Sequence, residues 1–318
     1  MLTDIIDSSS LQKRKIDKKE YLVSVSEHYN ASAGNYHRQY EEETLKDLTQ
    51  DYPANYFRLK LLLQSFTRNN VKTAIEVGVG EGTPLATLAS AGIDVSGFDI
   101  STEMVKRAKA SVEAIGQDPA KIILADVEDP SSYAKLLENG KFDALMAMGV
   151  MPHVQNDDQS LLNMRAMVKP GGLVFIEFRN KLFSMFTFNR YTYEFIMDDL
   201  LEGVSDELKN TVGKFLEPKL EMDKPTPRIH HDDDESKVGY DAILAKFHNP
   251  LSMASQFKRL GFSEIELLWY HFHPAMPLLN DVDPLLFREE AIRLEGDSVG
   301  WRGMFLCSAF VVQARRTD

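Results

Sequence analysis

The sequence predicts an α/β fold in which helices cover both faces of a mostly parallel sheet. Three observations predict it. From residue 71 onward, short runs rich in apolar and β-branched residues alternate with helix-like sequence, the pattern of successive strand–helix–strand units. A glycine-rich loop, "GVGEG" at 78–82, directly follows the first of these runs. The punctuation between runs is of the kind that starts and stops helices: Ser101 stands where an N-cap is needed, and "KPGG" at 169–172 halts a helical stretch.

The elements follow in order. Strands are expected at 71–77 ("VKTAIEV"), 93–99 ("IDVSGFD"), 121–126 ("KIILAD"), 142–148 ("FDALMAM") and 172–178 ("GLVFIEF"). Ser101 opens the amphipathic "TEMVKRAKASVEAI", a helix between the second and third strands. Two further strands are expected at 262–270 ("FSEIELLWY") and 304–314 ("MFLCSAFVVQA"). The stretch 179–250 breaks the alternation, beginning aromatic and ending polar, and the sheet pattern resumes after it, so it reads as an insertion. There is no internal repeat at a solenoid period.

Composition narrows the function. The chain has 318 residues, 43% hydrophobic and 26% charged, the balance of a globular protein with a sizeable core. Its formal net charge of −12, from 36 Lys and Arg against 48 Asp and Glu, repels a nucleic-acid backbone, and the basic residues form no cluster to offset it. No window approaches the apolar length of a membrane span, and no signal peptide is apparent, so a cytoplasmic location is expected. Cys307, the one cysteine, has no partner for a disulfide and is flanked by apolar residues, which reads as a buried core thiol.

In an open α/β sheet the ligand lies beyond the carboxyl ends of the strands, so the 78–82 loop is the place to look. A dinucleotide fingerprint needs G-x-G-x-x-G, but the glycines here are 78, 80 and 82, and position 83 is Thr. Charge argues the same way. Glu76 and Glu81 bracket a loop that leads into a helix, where a pyrophosphate would be repelled and a ligand carrying positive charge tolerated.

S-Adenosylmethionine has a sulfonium, an ammonium and no phosphate. The pattern Glu76, Gly78, Gly80, Gly82 resembles the cofactor loop of the class I S-adenosylmethionine-dependent methyltransferases, and "GFDIS", "LADVED", "FDALMAMGVMPHV" and "MVKPGGLVFIEF" resemble that family's later strand ends. The resemblance covers about 71–180 and, loosely, the two terminal strands. It implies a Rossmann-like, seven-stranded sheet whose last strand is antiparallel. It also implies cofactor contacts from Glu76, Gly78, Gly80, Gly82, Asp99, Ile100, Asp126, Val127 and Met148, with Asp99 on the ribose hydroxyls and Asp126 and Val127 at the adenine. "EHYNASAGNYHRQYEEE" resembles the segment that closes over the cofactor in small-molecule members, with Tyr29, Tyr36 and Tyr40 as contacts. The expected division is a helical lid region at 1–70, the cofactor-binding core at 71–180, a cap insertion at 181–250 and the rest of the core at 251–318.

Methyl transfer requires aiming the acceptor, excluding water and removing one proton. Polar groups at strand carboxyl ends are the candidates: His153 after the fourth strand, Arg179 after the fifth, and His271 and His273 after the sixth. His153 is the first choice for a general base, with His273 next, because an imidazole titrates near working pH. His153 could equally bond a neighbouring carbonyl at a helix start. Tyr29, Tyr36, Arg179, Phe183, Tyr191 and His271 are the expected acceptor contacts, although the aromatic run from Phe183 also suits the buried side of an added helix. His271 and His273 with "HHDDD" (230–234) could ligate a metal, but a solvated acidic loop suits that run better and no metal is expected.

The expected activity is methyl transfer to a small-molecule acceptor, a hydroxyl of a sugar or secondary metabolite. An amine, or a carbon such as that of a prenyl diphosphate, is the alternative. A nicotinamide-dependent oxidoreductase and a non-catalytic cofactor-binding partner subunit are the rival classes, and a homodimer is left open.

Overall fold

A computed structural model describes residues 25–30, 40–48, 52–220, 245–280 and 282–318. Seven strands form one sheet: β1 (Thr73–Val77), β2 (Asp94–Asp99), β3 (Ile122–Leu124), β4 (Phe142–Ala147), β5 (Val168–Arg179), β6 (Phe262–Phe272) and β7 (Cys307–Arg316). Their order is β3-β2-β1-β4-β5-β7-β6, with β7 antiparallel to both neighbours and the other pairs parallel. This is the Rossmann-like arrangement that the sequence implied. β1 lies between β2 and β4, and the order reverses across it, so the loop after β1 opens at the switch point.

Burial on both faces explains the unbroken apolar character of the central strands. Ile75, Val77, Leu145, Ala147, Val174 and Ile176 belong to one core, and Ala74, Ala144, Met146, Leu173 and Phe175 to the other. Helix α1 (Ala54–Arg68) buries Phe57, Leu59, Leu62 and Phe66 against the second face, with Phe66 edge-on to Phe175. The later part of the stretch expected as a lid therefore packs on the sheet itself. Helix α2 (Thr83–Ser90) follows the glycine loop, and α3 (Thr102–Glu113) starts at Ser101, whose hydroxyl accepts from the Met104 N–H at 3.1 Å. Helix α4 (Asp157–Met167) is capped in the same way by Asn156.

Strand boundaries differ from expectation where pairing overrides local signals. β5 begins at Val168, because Val168 pairs with Phe142 before a register shift, so "KPGG" lies within the strand's irregular start. β3 stops at Leu124, which leaves Asp126 in the following turn. A helical turn, Gly303–Leu306, precedes β7, and a helix, Pro284–Leu294, lies between β6 and β7. Cys307 is buried in the core. The expected cap begins with short helical turns at Lys181–Phe183, Ser184–Thr187 and Arg190–Glu194 and continues through Asp206–Leu220. "HHDDD" lies outside the described residues, as does Tyr36. Among the described residues no helix is long and apolar enough to cross a membrane.

Gly82 shows why the loop spacing matters. It has φ +91°, and a Cβ there would lie 2.8 Å from the Ala108 Cα on α3, so its missing side chain lets α2 and α3 close together. Gly80 also has positive φ, +52°, but a Cβ there would meet nothing within 4 Å. Gly82→Ala is therefore expected to cost about 2 kcal/mol or more in urea unfolding, against about 1 kcal/mol for Gly80→Ala. Equal costs would show that the approach of the two helices is not what requires Gly82.

Candidate functional site

A cavity of about 990 Å³, counting its open mouth, lies over the carboxyl ends of β1, β2 and β4. Of the expected cofactor residues, Glu76, Gly78, Gly80, Asp99, Ile100, Asp126, Val127 and Met148 line it, and Gly82 does not. Gly82 shapes the helix packing behind the loop instead.

Local bonding builds the wall. The Gly78 and Val79 N–H groups donate to the Phe98 carbonyl at 2.8 and 3.1 Å, which ties the loop to β2. Asp99 accepts from the Gly80 N–H at 3.0 Å and from the Ser101 N–H at 2.9 Å. Burial pushes its carboxyl up from the ordinary range, against the pull of those backbone bonds. Glu81 accepts from the Thr83 N–H at 3.1 Å, so a carboxylate occupies the start of α2, where a pyrophosphate would have to bind. Glu76 is 1% exposed, and its Oε2 has no hydrogen-bond partner. A buried acceptor atom of that kind, facing the cavity, fits a cationic group on the ligand.

Arg58 is the residue that sequence reasoning missed. It comes from α1, is buried in the cavity wall, donates to Glu177 on β5 and to the Tyr40 hydroxyl, and sits against the fully buried Tyr270. The signal was an arginine on the apolar face of "ANYFRLKLLLQSF".

The N-terminal helical residues 25–30 bridge the cavity's rim. Ser26 Oγ donates to the Ile100 carbonyl at 3.1 Å, and Asn30 Oδ1 accepts from the Glu103 N–H at 3.2 Å. Opposite, the Tyr29 hydroxyl is 2.9 Å from His153 Nε2. His153 is 5% exposed and lines the cavity in the turn Met151–His153.

The other expected acceptor residues fall into two groups outside the cavity wall. Arg179 and Tyr191 gather on Phe247, the guanidinium 5.9 Å from the ring centroid and the tyrosine ring 5.3 Å away. The Lys246 N–H donates to the Pro152 carbonyl at 2.9 Å, so this group abuts the turn that carries His153. His248 Nε2 lies 3.2 Å from Asp157 Oδ2. Burial raises Asp157, but the nearby His248 ring and the Lys246 ammonium outweigh it and hold the carboxyl below the usual range.

Phe183, His271 and His273 form the second group. His271 stacks on Tyr52 and bonds Ser308 Oγ through Nδ1 at 2.7 Å. His273 packs against Phe183, His271 and Phe287 rather than reaching the cavity, and burial pushes its imidazole well below the ordinary range. His273 is thus not brought to the site as a base.

Residues 75–176 match the family model for a methyltransferase domain. Ubiquinone biosynthesis O-methyltransferase of Coxiella burnetii is 29% identical over 191 residues, spanning 56% of this chain and 76% of that protein. The enzyme of the same name from Colwellia psychrerythraea is 28% identical over 145 residues, 45% of this chain and 54% of its own length. The core of the chain is an S-adenosylmethionine-dependent methyltransferase domain. The fold agrees with a crystal structure of magnesium protoporphyrin IX methyltransferase from Synechocystis PCC 6803 with bound S-adenosylhomocysteine: TM-score 0.50, 12% identity, 93% of this chain and 99% of that one. The methyltransferase's cofactor supplies a methyl already activated by the sulfonium.

Proposed function

We propose that this methyltransferase moves the methyl group to a hydroxyl of a small molecule, a sugar or secondary metabolite, with His153 as general base. The pairing of His153 with the Tyr29 hydroxyl carries the reading: a buried imidazole in the cavity wall has its Nε2 at 2.9 Å from a hydroxyl. In the tautomer with its proton on Nδ1, Nε2 accepts from that phenol, and once the acceptor's hydroxyl takes the phenol's place the freed lone pair would accept its proton as the new carbon–oxygen bond forms. The relatives' O-methyltransferase names support oxygen as the acceptor atom.

On this reading Glu76 meets the α-ammonium, Arg58 the carboxylate and Asp99 the ribose hydroxyls. Asp126 and Val127 meet the adenine, beside Met148. Arg179 and Tyr191, with Phe247, are assigned to the acceptor. The segment bearing Val25 and Tyr29 covers part of the cavity, which favours a small acceptor over a polymer. Incubation with [methyl-¹³C]-S-adenosylmethionine and a panel of hydroxylated sugars and metabolites tests the reading. An O-methyl carbon resonance in the product is expected, and an N-methyl or C-methyl resonance would contradict it.

A further inference from the structure

Among the described residues, Glu76 is a buried acid beside the glycine loop with an unsatisfied oxygen. Glu76 is buried, and in the sheet it is flanked by Gly97 on β2 and Met146 on β4, neither of which titrates. Among the described residues, the charged groups that act on it are Arg58 from α1, Glu81 from the loop and Asp99 from β2. Arg58 is already engaged with Glu177 and Tyr40. The guanidinium that acts on Glu76 thus has an acid of its own, and Glu76 Oε2 has no donor. Leaving an unpaired carboxylate in that setting costs more than protonating it.

We propose that Glu76 carries a proton in the cofactor-free protein and releases it when the cofactor's α-ammonium arrives, so that capture is proton-linked and selects ligands with a positive charge at that point. One carboxyl O–H bond breaks, the proton passes to the buffer, and the carboxylate pairs with the ammonium; nothing is oxidised or reduced. Burial, aided by Glu81 and Asp99 and opposed by Arg58, pushes the Glu76 carboxyl well above the usual carboxylate range. Binding favours the deprotonated form, so affinity falls as pH drops below that raised value and levels off above it.

Calorimetry in buffers of different ionisation enthalpy at one pH reads the released proton directly. S-Adenosylhomocysteine should release roughly one proton per molecule bound. 5′-Methylthioadenosine, which keeps the adenosine and thioether but lacks the ammonium, should release none. Glu76→Gln should abolish the release. Infrared difference spectra of binding should show loss of a protonated-carboxyl C=O band in the wild type and none in Glu76→Gln, which reads the same event even where the variant binds weakly. Buffer-independent heats for the wild type, equal release with 5′-methylthioadenosine, or release that persists in Glu76→Gln would each overturn the proposal.

Discussion

His153→Ala should lower the turnover number by about 10²- to 10⁴-fold, the range for loss of a positioned general base. Affinity for S-adenosylhomocysteine should change little, because the cofactor assignments rest on the β1 and β2 loops and Arg58. His153→Gln is the sharper variant. Its amide can still bond Tyr29 but cannot take up a full proton, so it should be nearly as slow as Ala. If Gln restores activity, the side chain positions the acceptor rather than deprotonating it. If both variants are fully active, the base is elsewhere.

Arg58→Ala should cost about 3 to 5 kcal/mol of stability in urea unfolding, the price of leaving one half of a buried ion pair behind. Arg58 and Glu177 are each 7% exposed, and Tyr270 lies against both, so the stranded carboxylate has no water to turn to. The double variant Arg58→Ala with Glu177→Gln should recover part of the loss, because it removes the stranded charge. The same single variant should also weaken S-adenosylhomocysteine binding, since Arg58 is part of the cavity wall. A loss under about 1 kcal/mol would place the pair among weak surface contacts instead.

The sheet was legible because period and punctuation report local structure. The Ser101 cap and the strand-ending Asp99 could be read directly, and the bonds from Gly80 and Ser101 to Asp99 fix the side chain at that strand end. What local sequence does not encode is strand order. His153 and His273 both follow strand carboxyl ends, yet β6 lies three places from β4, about 14 Å at ordinary strand spacing, so the later histidine is carried away from the cavity. Arg58 was missed for the converse reason. Its helix lies before the first strand, and only packing of Phe57, Leu62 and Phe66 on the sheet brings the arginine under the cavity. The Tyr29–His153 bond spans more than a hundred residues of chain, so neither partner's neighbours announce it.

Calorimetric titration with S-adenosylhomocysteine and, separately, with NAD tests the central claim most directly: that this glycine loop, bracketed by Glu76 and Glu81, holds a cationic nucleoside and not a pyrophosphate. Saturable binding of S-adenosylhomocysteine at one site per chain, with no measurable heat from NAD, is the expected result. Tight NAD binding with no response to S-adenosylhomocysteine would contradict it.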